Sequence, residues 1–345
     1  MPRLRTLLPV LLLHAVGIGL LIGGCPSNES PSDSGRPDTE RRGEREPLPP
    51  RANATHTPSR EPAGQPARGY SNDTFERNLR PLPPALTEQA RRDCKSGLLV
   101  DWETREILWE KQADKALPFA SLTKMMTALI VAETIERDPR WTWEREVPVT
   151  RAASDIGGRQ VWLDPRESFT VDELFKTVLV FSANDAAYLL AEAVGDGDVE
   201  DFVKTMNRRA RRMGLESLRF SNPHGLPEKR ASDDNRGNAK ETAYLAAQLL
   251  EHDRIVRYAS TRLDWLRKDT NKPTQLLNSN PLVNGKFSGA NGMKTGYTNR
   301  SGFCIAATCE REGRTLVAVL LGCPSKEGRN NLVRDLLEWG YSTAR

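Results

Sequence analysis

The sequence predicts a mixed α/β (α+β) fold: an antiparallel five-stranded sheet completed by the two ends of the folded region, with flanking helices and a helical insert. Three observations carry this. "SGLLVDWETREILWEKQAD" (96–114) reads as a hairpin, two short apolar runs around "ETRE". "GANGMKTGYTNRSGFCIAATCEREGRTLVAVLLGC" (289–323) alternates like three consecutive antiparallel strands. Between them run helical patterns: "ASLTKMMTALIVAETIE", "TVDELFKTVLVFSANDAAYLLAEAV", "VEDFVKTMNRRARRMG" and "AKETAYLAAQLLEH"; "NNLVRDLLEWGYS" closes with a helix. A cleft is expected where the helical part meets the sheet.

From the N-terminus, "MPRLRTLLPVLLLHAVGIGLLIGGC" has an arginine-bearing start, a long apolar run and small residues before Cys25. That is the anatomy of an export signal, residues 1–25. The run is nearly long enough to span a bilayer, so a plain membrane anchor is the alternative. The ending "IGGC" resembles the lipobox of bacterial lipoproteins, which implies lipidation of Cys25 and a lipid-anchored protein on the extracytoplasmic face of a bacterial membrane. Residues 26–88 are rich in Pro, Ser, Arg, Glu and Gly and poor in large apolar residues. Such a segment cannot bury enough surface to offset its ordering entropy, and it reads as a disordered tether with a random-coil span of about 45 Å. Residues 89–345 remain as one folded domain.

Composition excludes several functions. The formal net charge is only +4, and the basic run "NRRARRMG" lies on a helical pattern with apolar residues interleaved. It reads as a solvated helix face, so no nucleic-acid partner is expected. No clustered Cys/His spacing suits a metal, and no glycine-rich phosphate loop precedes a helix, so no cofactor is expected. Of four histidines, two fall in the signal and the tether, leaving His224 and His252. A Ser-His-Asp triad is thinly supplied. His224, in the turn-rich "NPHGLP", reads as structural.

"PFASLTKMMTAL" (118–129) supplies a different pair. Leu122, Met125, Met126, Leu129 and Ile130 recur at helical spacing, so Lys124 lies on a mostly buried helix. Burying a cation is costly. Ser121 sits at i−3, within hydrogen-bonding reach of the amine. A serine hydroxyl needs a base, and lysine serves once burial and a second cation lower its pKa. Lys294 in "MKTGYT" is the candidate second cation. Ser-x-x-Lys alone is expected about once by chance in such a chain, and Lys-Thr-Gly in fewer than roughly one chain in ten.

Ser121-x-x-Lys124, then "SAN" (182–184), then "KTG" (294–296) together form the three signatures of serine penicillin-interacting enzymes. From Gly97 to Tyr341 the chain resembles the low-molecular-mass penicillin-binding proteins of the D-alanyl-D-alanine carboxypeptidase family. "FSANDAAYLLAEAVG", "FVKTMNRRARRMGL", "FSNPHGLP" and "NGMKTGYTNRSGFCIAAT" carry the match. The resemblance implies a serine β-lactamase/DD-peptidase-like fold and a hydrolase of peptidoglycan stem peptides that β-lactam antibiotics acylate. It makes Ser121 the nucleophile, Lys124 its base, Ser182 a proton relay and Asn184 a holder of Lys124 and of the substrate amide. Lys294 supplies positive charge and Thr295 contacts the substrate carboxylate. Gly296 leaves room for a peptide along the strand edge, and the N–H groups of Ser121 and Tyr297 form the oxyanion hole. Arg329, in "SKEGRNN", aligns with an arginine that helps hold the terminal carboxylate.

The motifs leave a D,D-endopeptidase open as an alternative, with a β-lactamase or an inactive binding module on the same fold behind it. Family members often carry a further β-rich domain and a C-terminal amphipathic membrane helix. This sequence ends at "EWGYSTAR", and a lipid on Cys25 with the tether is expected to take their place. The resemblance also makes the strands after Cys94 and before Cys323 antiparallel neighbours, so a Cys94–Cys323 disulfide is the expected pairing in an oxidising compartment, with four reduced thiols the alternative. Cys304 and Cys309 fall on opposite faces of one strand, about 17 Å apart, and are expected as buried free thiols.

Overall fold

The computed structural model describes residues 69–343. Cys25, the export signal and most of the tether lie outside them. In chain order the main elements are β1 (Glu76–Arg77), α1 (Pro84–Asp93), β2 (Ser96–Asp101), β3 (Glu106–Lys111) and α2 (Lys124–Arg137). There follow α3 (Asn184–Val194), α4 (Val199–Arg212), α5 (Ala239–Gln248), β4 (Ala290–Thr298), β5 (Gly302–Arg311), β6 (Arg314–Cys323) and α6 (Lys326–Ser342).

The principal sheet runs β1-β3-β2-β6-β5-β4. Its five long strands are mutually antiparallel, with Val319 opposite Leu98 and Lys294 opposite Ala306. Strands from both ends of the domain therefore meet at its centre, as the pattern predicts. The short β1 adds a sixth, parallel edge strand, Glu76 beside Glu106.

Both faces of this sheet are covered, which explains why β6 is buried throughout. On one face Leu99, Ile305, Leu316 and Leu320 pack with Leu332, Val333 and Leu336 of α6 and Leu86 and Ala90 of α1. On the other, Leu98, Val100, Ala306, Val317 and Val319 pack with α5 and the helical insert that carries α2, α3 and α4. In the basic run on α4, Arg208, Arg211 and Arg212 are exposed, while Arg209 is paired to Glu133 at 2.6 Å.

Two expectations need correction. Order begins well before residue 89. Phe75 is buried in an edge-on aromatic cluster with Tyr70 and Trp102, and α1 starts at Pro84. The prolines of "PLPP" that look like tether are a helix start, Pro84 being preset at the first helical position.

The helical pattern over residues 170–194 is realised in pieces. A helix over Val171–Lys176 passes into a π-helical turn at Thr177–Phe181 and stops at Ser182, whose φ of 72° is left-handed.

The Cys94–Cys323 disulfide is not formed: Cys94, Cys304, Cys309 and Cys323 are all free and buried. Cys94 caps α1 and its thiol donates instead to the Ala90 carbonyl, 3.4 Å away. Cys304 and Cys309 do fall on opposite faces of β5.

Candidate active site

Ser121 lies in a short 3-10 turn, Ala120–Thr123, that leads into α2 and abuts β4. The approach is close enough to require two glycines. A Cβ on Gly225 would sit 2.1 Å from the Ala120 carbonyl oxygen, and one on Gly296 would sit 2.7 Å from that of Phe119 and 2.9 Å from the Ser121 nitrogen. Gly296 thus makes room for the backbone of the turn that carries Ser121. Ala120 has a φ of 51°, a left-handed conformation that costs of order 1–3 kcal/mol and persists because the surroundings fix it.

Lys124 is completely buried, as its helix predicts. Its Nζ lies 2.7 Å from Asn184 Oδ1, 2.6 Å from the His224 carbonyl oxygen and 3.0 Å from Ser121 Oγ. The first two atoms only accept. The Asn184 amide orientation is set by its own Nδ2, which donates to the Gly157 carbonyl at 2.9 Å. A neutral amine has two N–H bonds and one lone pair. When the amine is neutral, the two carbonyl oxygens take both N–H bonds and the lone pair is left for the Ser121 hydroxyl. Burial pushes Lys124 down to about 7, with Asp185 opposing and Arg159 reinforcing the fall.

Asp185 does not neutralise the site fully, because it is spent on backbone: it accepts from Val161 and Leu163 N–H at 3.0 and 3.2 Å. These contacts clamp the loop before it, and Asn184 N–H donates to the Arg159 carbonyl at 2.7 Å.

Lys294 is likewise buried and donates to Ser182 Oγ at 2.7 Å. Burial, then Lys124, Arg159 and Arg329, hold it well below its ordinary range. The left-handed turn at Ser182 is what swings its hydroxyl out of the helical path to meet Lys294. Thr295 donates to the Ser279 carbonyl at 3.3 Å. Thr298 N–H is turned inward to Ser301 Oγ at 2.9 Å. By strand alternation the Tyr297 N–H faces the open edge of β4, the side on which Ser121 lies. Arg329, on α6, is buried and donates to the Cys304 carbonyl at 3.0 Å.

Ser121, Ser182, Asn184, Thr295, Gly296, Tyr297 and Arg329 line one cleft of about 720 Å³, with Lys124 and Lys294 beneath its floor. All the expected site residues within the described span are thus brought together.

Sequence reasoning missed two contributors. Arg159 lines the same cleft. The other is the His224 carbonyl, held in place because Asn222 Oδ1 accepts from Gly225 N–H at 2.7 Å and Thr127 donates to the Pro223 carbonyl at 2.7 Å. The His224 ring is structural, as expected. Burial, then Lys124, pull its pKa down to about 3, and its Nδ1 accepts from the Leu226 N–H at 3.2 Å.

The arrangement sets a serine hydroxyl against a buried amine whose pKa is pulled down to about 7, beside a strand edge that presents a backbone N–H: geometry suited to acyl transfer through an ester. The family model for D-alanyl-D-alanine carboxypeptidases matches residues 84–325, and the chain belongs to that family. The D-alanyl-D-alanine carboxypeptidase DacF of Bacillus subtilis is 32% identical over 256 residues, 74% of this chain and 64% of the relative. The DacA carboxypeptidase of Haemophilus influenzae is 30% identical over 271 residues, 75% and 63% of the two chains. The chain therefore spans somewhat less than two thirds of these relatives. Among solved structures, the ampicillin-bound penicillin-binding protein D2 of Listeria monocytogenes superposes with a TM-score of 0.64 at 27% identity, covering 73% of this chain and 98% of that one.

Proposed function

We propose that the chain is a serine-type D-alanyl-D-alanine carboxypeptidase that trims the terminal D-alanine from peptidoglycan stem peptides. The observation that carries this is the buried Lys124 amine, whose Nζ lies 2.7 and 2.6 Å from two carbonyl oxygens and 3.0 Å from Ser121 Oγ, a set that in the neutral amine leaves the lone pair for the hydroxyl.

Ser121 Oγ attacks the carbonyl carbon of the penultimate D-alanine and its proton passes to Lys124 Nζ. The tetrahedral oxyanion sits between the N–H groups of Ser121 and Tyr297. The peptide C–N bond then breaks, the leaving D-alanine nitrogen taking a proton relayed through Ser182. Lys294, Thr295 and Arg329 hold that residue's carboxylate. Water, deprotonated by Lys124, cleaves the ester and restores the serine. A β-lactam acylates Ser121 by the same attack. The carboxypeptidase relatives and the ampicillin-bound neighbour support this reading.

Mass spectrometry of products from defined muropeptides tests it. Loss of one alanine from monomeric pentapeptides is the expected result. Conversion of cross-linked dimers to monomers, with the monomers themselves left untrimmed, would identify an endopeptidase and overturn the proposal.

The lysine also sets a pH dependence. Below about 7 Lys124 is protonated and cannot accept the serine proton. Acylation by a penicillin should therefore fall about tenfold per pH unit below that point and level off above it. Because Lys124 and Lys294 are coupled, the limb belongs to the pair. Stopped-flow acylation rates between pH 5 and 9 measure it, and a flat profile would remove the neutral-lysine mechanism.

We further propose, from the N-terminal sequence, that the protein is exported and lipid-anchored through Cys25, with the following segment as a tether towards the wall. Metabolic labelling with a palmitate analogue should mark the wild type and miss Cys25→Ser; an unlabelled wild type would defeat the anchor.

A further inference from the structure

The cleft holds a second guanidinium, carried by a different element from Arg329. Arg329 reaches in from α6 and is fixed to β5 through Cys304. Arg159 stands on the loop before α3, on the Ser182–Asn184 side, and is exposed.

Its mounting is rigid. The Arg159 carbonyl accepts from Asn184 N–H at 2.7 Å, and the clamp of Asp185 on Val161 and Leu163 fixes the residues that follow. The guanidinium carbon lies 4.0 Å from the centroid of the Phe181 ring, and Nε donates to the Phe181 carbonyl. Among the described residues Arg159 makes no ion pair. Among the described residues its two terminal nitrogens have no protein acceptor, and the residue lines the cleft. An arginine stacked on an aromatic ring with its Nε anchored presents a preset fork, which matches a carboxylate with two parallel hydrogen bonds.

The terminal carboxylate of the substrate already has holders in Lys294, Thr295 and Arg329. A second preset fork, mounted on a different element of the same cleft, calls for a second anion.

We propose that Arg159 is a specificity-determining residue that binds a free side-chain carboxylate on the acyl side of the stem peptide, on the diamino acid that precedes the two D-alanines. The chain thereby prefers stem peptides in which that carboxylate is present over those in which it is amidated or absent. This rests on the carboxypeptidase reading and adds the substrate class to it.

The test uses two synthetic pentapeptides, identical but for a free or an amidated carboxylate on that diamino acid, with release of D-alanine as the readout. Wild-type kcat/KM should favour the free acid by roughly tenfold or more, the scale of a charge-assisted bidentate pair. Arg159→Gln should bring the ratio of the two kcat/KM values towards one, and Arg159→Lys should retain part of it. A ratio near one in the wild type, or an unchanged ratio in Arg159→Gln, overturns the proposal. If Arg159→Gln lowers both values by the same factor, Arg159 acts through the field on the two lysines and the proposal again falls. A wild type that takes covalent penicillin but releases D-alanine from neither peptide strikes the carboxypeptidase reading instead.

Discussion

Ser121→Ala is expected to lose both D-alanine release and covalent labelling by penicillin, while melting within about 3 °C of the wild type. The activity loss follows from the position of the hydroxyl: Ser121 Oγ lies 3.0 Å from the Lys124 amine, whose other two partners are carbonyl oxygens that only accept, so the neutral amine has its lone pair left for this hydroxyl. The small stability change follows from the contacts removed. Ser121 Oγ makes only the 3.0 Å contact to Lys124 and a 3.4 Å contact to the His224 carbonyl. Lys124 keeps both of its carbonyl acceptors without it, so the loss is about one ordinary hydrogen bond, on the order of 1 kcal/mol. For a domain of this size that is worth a few degrees at most. Fluorescent penicillin on a denaturing gel, read beside a thermal melt, separates the two effects. A labelled band in the mutant would place the acyl group on another residue and end the proposed mechanism.

The chemistry was legible in the sequence to the extent that it resides in side chains at fixed spacing. Helical periodicity alone puts Lys124 in the core, and its burial is complete. What escaped resides in backbone. The His224 carbonyl has no residue-type signature, and its aim depends on asparagine contacts at Asn222 and Asn235 that form only in the fold. The break at Ser182 escaped because "TVLVF" continues the apolar pattern of the helix before it, while the π-helical turn is imposed by packing. Arg159 escaped because a lone arginine in a loop is ordinarily a solvated charge; its meaning comes from Phe181 beneath it. The early start of the fold was hidden by prolines, which read alike in a tether and at a helix start.

Lys124→Arg is expected to lose acylation as completely as Lys124→Met, on the order of a thousandfold or more, although it alone keeps the charge. A guanidinium stays protonated in proteins and has no lone pair to offer Ser121. Lys124→Met keeps the bulk without a base, so it guards against a variant that merely fails to fold. The two predict different stabilities as well. In the wild type the folded amine sits at about 7 against an ordinary 10.5, so between those values the unfolded chain binds more protons than the folded one. Stability from this group therefore rises with pH across that window, by at most about 1.4 kcal/mol per unit, and its penalty is greatest below about 7. Arginine is charged in both states and gains nothing as pH rises. The gap in melting temperature between wild type and Lys124→Arg should therefore widen from pH 7 to pH 9. A gap that stays constant would mean that Lys124 is a buried cation throughout, and substantial acylation by the arginine variant would make it an electrostatic residue and not the base.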